Sequence, residues 1–385
     1  MKRSTERILT THTGSLARPE DLLEMIRARS SGQDYDRKAF EERTNSAVRE
    51  VVRRQVENGI DVVSDGELSK PQFADYVAER LSGMEGENPS FTFAGAPEDV
   101  EGYGAWWRSQ GSASAFFMGR RPMVVGPLSW KDRAALDLDI ANLGEAVKES
   151  GASEAFMPSP SPGIIAIRIP NQYYASQEEY LYALADVLKE EYRAIVDAGF
   201  LLQIDAPDVA MGRHLVFHDL SPEQFRKAIE MHTDALNHAL QDIPEERVRY
   251  HVCWGNNEGP HMRDVPLADI VDIVLRTKAQ AFSVEAANPR HEHEWEVWQQ
   301  VRLPDGKILI PGVIDSLSNF VEHPNLIAQR IVRFAELVGR ENVIAGTDCG
   351  FGTFAGAPRV YPGVVWAKFE AMAEGSTIAT RKLWA

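Results

Sequence analysis

Eight short apolar runs, each followed by a stretch of helical periodicity, set the tightest limit on what this chain can become. They lie near residues 8 to 13, 61 to 64, 154 to 158, 201 to 204, 248 to 253, 281 to 285, 309 to 314 and 343 to 347. Strands buried on both faces read as continuous runs of this kind, because a core fills one side and helices cover the other. Alternation of strand and helix calls for parallel pairing, and eight such units close a sheet on itself. The expected fold is α/β, a single (β/α)8 TIM barrel over residues 1 to 385.

The helices between the runs carry their own punctuation. Apolar positions at helical spacing fill 36 to 58 and stop at Asn58 and Gly59. A second helix is predicted over 177 to 198, ending before Gly199. A third covers 221 to 240, with Ser221 as cap and Pro222 in the first turn. Residues 86 to 125 break this rhythm with glycines, prolines and the pair Trp106 and Trp107. An insertion or hairpin between the second and third units is expected there, either covering a substrate or sealing a barrel end or an oligomer contact.

Charge and cysteine usage narrow the partners. With 57 acidic against 41 basic residues, a formal charge of -16 disfavours nonspecific attraction to nucleic acid or an anionic membrane. A small molecule fits better. No window approaches the length of an apolar membrane span, and Met1 to Arg7 is charged with no apolar core behind it, so a cytoplasmic location is expected. Two cysteines, Cys253 and Cys349, make a poor disulfide framework in a chain of 385 residues.

In parallel barrels the active site sits at the carboxyl ends of the strands, so polar residues that terminate an apolar run are the informative ones. One run ends in Tyr250, His251, Val252, Cys253, the next in Ser283, Val284, Glu285, and the last leads through Thr347 and Asp348 to Cys349. Residues two apart on a strand point the same way, so His251 and Cys253 can face one centre. Zinc favours imidazole nitrogen and thiolate sulfur, and Cys349 with Glu285 would complete a tetrahedral shell. Only two cysteines argue for a catalytic shell over a structural finger.

The ordered motifs His12-Thr13-Gly14-Ser15, Asp65-Gly66-Glu67, Gln203 to Pro207, His251 to Cys253, Glu285, Gly312 to Asp315 and Thr347 to Gly350 resemble the catalytic half of the cobalamin-independent methionine synthase family. The resemblance covers nearly the whole chain. It implies Zn2+ held by His251, Cys253, Glu285 and Cys349, with Glu285 yielding to the incoming substrate sulfur. It also implies that Glu67 and Asp205 hold the amino group of homocysteine and that the turn at Gly14 and Ser15 cradles its carboxylate. Two carboxylates at strand ends prefer a cation and a tight glycine turn offers an anion nest, in keeping with an amino acid. Each carboxylate has a plainer reading, as a helix cap or an arginine partner. Asp315 would orient His251 or simply form a turn, while His12 and His261 read as structural.

The implied activity is alkyl transfer, above all methyl transfer, to a small-molecule thiol, with a corrinoid carrier protein and an oligomeric assembly left open as partners. The chain departs from the family pattern where a histidine would follow Asp315, reading Ser316, Leu317, Ser318 instead, and where a tryptophan would stack on a pterin, offering Tyr173 and Tyr174. These departures bear on the carbon donor. Single-barrel relatives that open epoxides with coenzyme M are the alternative, for which Arg18 would meet a sulfonate. A barrel that only stores or senses zinc would use the same four ligands.

Overall fold

A computed structural model of the chain describes residues 1–86, 100–109 and 122–385. Eight parallel strands form one sheet: β1 (Leu9–Thr10), β2 (Val62–Val63), β3 (Glu154–Pro160), β4 (Leu201–Asp205), β5 (Val248–Val252), β6 (Ala281–Val284), β7 (Ile308–Ile314) and β8 (Ile344–Thr347). Their spatial order is β1-β8-β7-β6-β5-β4-β3-β2. A parallel bridge between Thr11 and Val62 joins the two ends of that order and closes the sheet into a (β/α)8 barrel. All eight sequence runs coincide with these strands to within a few residues.

The helices begin and end where their caps dictate. Arg37–Glu57 starts at Asp36, whose side chain accepts from the Ala39 N–H. Gln177–Asp197 starts at Ser176, and Pro222–Ala239 opens with a full capping box between Ser221 and Gln224. Each buries its apolar stripe on the outside of the barrel. After β5 and β6 the pattern thins: the α-helices there, Val271–Val274 and Val297–Gln300, are single turns. Long loops leading out of these two strands take up the chain that helices use elsewhere, and those loops build the mouth of the barrel.

Much of the insertion expected at 86 to 125 lies outside the described residues, so a cover formed by 87–99 or 110–121 is not described. An antiparallel pair, Leu81–Glu85 with Met123–Trp130, flanks it outside the barrel order. Trp106 is exposed. Among the described residues no helix is long and apolar enough to cross a membrane.

Side chains fill the barrel interior. Arg249 of β5 lies inside, donating to Thr11 Oγ1 at 2.9 Å and His12 O at 2.8 Å, its guanidinium 3.9 Å from the Phe156 ring centre. His12, also buried, meets Gln55 Oε1 at 2.7 Å through Nε2 and accepts from the Gly14 N–H through Nδ1. Burial pushes its imidazole down to about 3, so it is neutral and structural, in line with the sequence reading.

One close approach depends on a glycine. Gly312 of β7 pairs with Gly346 of β8. A Cβ on Gly312 would stand 2.0 Å from Asp348 Oδ1 and 2.8 Å from Asp348 Cα and N. Backbone cannot step aside as a flexible side chain can, so Gly312→Ala should lower stability by about 1–3 kcal/mol through overpacking. Urea unfolding measures this, and an unchanged midpoint would show that the β7 and β8 ends are less tightly seated than described.

Candidate metal centre

β5 and β8 deliver the two cysteines to one point. Cys253 Sγ and Cys349 Sγ lie 3.6 Å apart, both buried. A disulfide would need about 2.05 Å. Two thiolates sharing a tetrahedral zinc at Zn–S about 2.3 Å would stand about 3.7 Å apart. His251 completes a cluster: its ligand atom and the two sulfurs all fall within 4.8 Å of one another.

The imidazole is set for a metal. His251 is register partner to Ser283 on β6, and its Nδ1 meets Ser283 Oγ at 3.2 Å. Its Nε2 is buried with no hydrogen-bond partner. An unpartnered buried nitrogen costs free energy unless a ligand takes its lone pair. Burial, with Arg249 nearby, holds the ring down at about 3, so it is neutral and can coordinate. In the metal-free state the adjoining Cys349 thiol and burial both push Cys253 well above the usual thiol range. The donor set of one imidazole and two thiols, with its orphan nitrogen, fits zinc.

Glu285 lies against Cys253 at the edge of this cluster. Its Oε1 accepts from the Trp254 N–H at 2.8 Å and its Oε2 from Asn288 Nδ2 at 2.7 Å. Burial raises its carboxyl well above the ordinary range, and Cys253 adds to that. Three side chains therefore converge where four were expected, and the fourth is held on two donors next to them. Catalytic zinc sites keep three protein ligands and one exchangeable position.

The loop carrying Glu285 is tied down by Asp348, the residue before Cys349. Its carboxylate accepts from the N–H groups of Ala286, Ala287 and Asn288, each at 2.8 Å, and from Asn288 Nδ2 at 3.0 Å. In the sequence Asp348 marks only the approach to Cys349, yet it joins the β6 and β8 ends. Ser283 was missed too, although it lies two residues before Glu285 on the same strand face, a signal that alternation carries.

A second group of polar side chains lies one strand over. Asp205 of β4 is register partner to His251. Gln203 Nε2 donates to Asp205 Oδ1 at 2.7 Å and also to Thr13 O. Glu67 is buried at a left-handed backbone φ of 56°, and its Oε2 has no partner. A non-glycine residue held in that region carries strain that its surroundings must support. Burial raises both carboxyls, Glu67 raises Asp205 further, and Lys70 and Arg18 oppose the rise at Glu67. Neither residue caps a helix or pairs with an arginine side chain among the contacts described.

Gly14 and Ser15 border this pair. A Cβ at Gly14, whose φ is +136°, would lie 3.0 Å from Glu67 Oε1 and 2.9 Å from Pro158 Cγ. Ser15 Oγ lies against Gly350, next to Cys349. The nest is smaller than expected, because the Gly14 N–H donates to His12 and the Leu16 N–H to Gly66 O.

Two expectations need correction. Arg18 does not present its guanidinium to an anion: Nη1 and Nη2 donate to the carbonyls of Leu16, Gly352, Glu67 and Lys70, bracing the loops around Glu67. Asp315 does not orient His251, since its carboxylate accepts from the N–H groups of Leu317 and Ser318, both at 3.0 Å, and so forms the turn. Ser283 faces the imidazole in its place.

Comparison with known proteins agrees with this architecture. The family model described as cobalamin-independent synthase, catalytic domain, matches residues 163–360, more than half of the chain. The methionine synthase of Thermococcus kodakarensis is 27% identical over 343 residues, covering 89% of this chain and 86% of its own. That of Saccharolobus solfataricus is 24% identical, covering 97% and 95%. Among solved structures, a B12-independent methionine synthase from Shewanella sp. W3-18-1 in complex with selenomethionine superposes with a TM-score of 0.73 at 19% identity, covering 98% and 99%. The chain belongs to the cobalamin-independent synthase catalytic-domain family.

Proposed function

We propose that the chain transfers a methyl group to the thiol of homocysteine, with zinc held by His251, Cys253 and Cys349 and with Glu285 giving way at the fourth position. One observation carries this reading: the imidazole and thiol cluster and the Glu67 and Asp205 carboxylates sit on neighbouring strand ends, with Asp205 in register with His251. Adjacent strands lie about 4.8 Å apart, which suits a ligand bearing a thiol at one end and an ammonium at the other. The unpartnered Glu67 Oε2 would accept from that ammonium, and the hydroxyl of Ser15, which lies against Gly350, would donate to the substrate carboxylate.

When bound, zinc would keep the substrate sulfur as thiolate at neutral pH, where a free thiol is mostly protonated. Glu67 and Asp205 would fix the amine so that the sulfur reaches the metal-binding side chains, and the buried walls would keep water away from the methyl group in flight. The sulfur–carbon bond forms as the bond from carbon to the donor breaks, its electron pair leaving with the donor. An amino acid thiol is favoured over coenzyme M because Arg18, the cation a sulfonate would need, is committed to backbone carbonyls. The names of the relatives point the same way.

Division of labour between the two groups is testable by zinc content and thiol affinity. Cys253→Ala should lose most of its zinc, whereas Glu67→Ala should keep about one zinc per chain and bind homocysteine at least about tenfold more weakly, as loss of one charge-assisted contact implies. Equal metal loss in both variants would contradict the assignment. Mass spectrometry of products should find methionine when zinc-loaded protein meets homocysteine with a methylfolate or a methylcorrinoid, and none after chelation. Alkylation of coenzyme M by an epoxide, with homocysteine untouched, would overturn the substrate.

A further inference from the structure

Beside the metal centre, three histidines converge on one buried carboxylate. Asp264 Oδ2 meets His261 Nδ1 at 2.9 Å and His291 Nε2 at 3.0 Å, and Asp264 Oδ1 lies 3.3 Å from His214 Nδ1. The remaining nitrogens are also engaged: His261 Nε2 faces Asn257 O at 2.9 Å, and His291 Nδ1 faces Glu294 Oε2 at 2.9 Å. Acceptors at both nitrogens require each of these two rings to donate twice, which only an imidazolium can do. Against the lowering effect of burial, Asp264 and Glu294 push His291 up to about 10, and Asp264 raises His261 as well. His261 holds a left-handed φ of 54°, a second strained position at the barrel mouth.

These residues come from three different loops. His214 follows β4, His261 and Asp264 follow β5, and His291 and Glu294 follow β6. The same strands end in Asp205, in His251 and Cys253, and at Glu285. Contact passes inward through Trp254, the residue after Cys253. Its ring lies 4.3 Å from the His291 ring at 31°, its indole N–H donates to Val265 O at 2.7 Å, and its backbone N–H donates to Glu285 Oε1. A cation stacked on an indole is held by the ring's negative face.

We propose that Asp264 is a positioning residue for the fourth metal position: through His291 and Trp254 it steadies the peptide N–H on which Glu285 is parked, so that the position passes to substrate sulfur. This rests on the zinc reading above and adds to it how Glu285 is kept aside. Removing the carboxylate frees both imidazoliums from their shared partner, loosens the seat of the Trp254 ring on His291, and weakens the hold of the Trp254 N–H on Glu285, which is then free to compete with the thiol. Among the described contacts Asp264 touches none of His251, Cys253 and Cys349, so their side chains stay within ligand reach of one another.

Cobalt-substituted full-length protein tests this, because charge transfer from thiolate to cobalt reports the sulfurs bound, independently of turnover. Asp264→Asn should hold the metal with the same two-cysteine bands as the unsubstituted protein. Its homocysteine dissociation constant, read from the added thiolate band, should rise by about tenfold as Glu285 competes for the fourth position. Asp264→Glu should recover part of that loss. If Asp264→Asn does not fold, Glu294→Gln and Trp254→Phe act on the same chain of contacts and should weaken thiol binding in the same way. Unchanged thiol affinity in the variants, or loss of the cysteine bands before thiol is added, would overturn the inference. Absence of any thiol band in the unsubstituted protein would overturn the zinc reading and this one with it.

Discussion

Closure of the sheet is the constraint on which everything else rests. Cys253 and Cys349 are 96 residues apart in the chain, yet their sulfurs lie 3.6 Å from each other. Only a barrel whose β5 and β8 ends share one rim brings them there, and the Thr11 to Val62 bridge completes that rim. The pair is too distant for a disulfide and spaced as two ligands of one ion would be. Gly312 and Gly346 allow the β7 and β8 backbones their close approach, and Asp348 then fastens the Glu285 loop beside Cys349.

Two unpartnered atoms give this arrangement its direction. Among the buried polar atoms left without a partner, His251 Nε2 lies in the cluster with the two cysteines and Glu67 Oε2 lies beside the Gly14 turn, positions that suit something the chain does not itself supply. One suits a metal and the other a cationic group. They belong to neighbouring parts of the same rim, joined by the register of Asp205 with His251. A substrate with a thiol and an amine answers both at once, and the strained backbone at Glu67 is the cost of placing its carboxylate there.

The barrel was legible in the sequence because doubly buried strands leave an unmistakable trace, and each of the eight runs became a strand. The cluster of His251, Cys253 and Cys349 was legible for a related reason: strand-end position and period-two spacing are properties of a single short segment. Roles that depend on several loops were not. Arg18 looked like an anion binder until its guanidinium was seen to join carbonyls from three stretches of chain. Asp315 could have reached His251 or formed a turn, and the local turn claims its carboxylate. Asp264 drew no notice because its partners, His214, His261 and His291, are drawn together only by the loops after β4, β5 and β6.

X-ray absorption at the zinc edge of the purified full-length protein bears most directly on the central claim. The account predicts two sulfur scatterers at about 2.3 Å with nitrogen or oxygen at about 2.0–2.1 Å, and a third sulfur once homocysteine is added. A shell without sulfur, or a protein that holds no zinc at all, would contradict it.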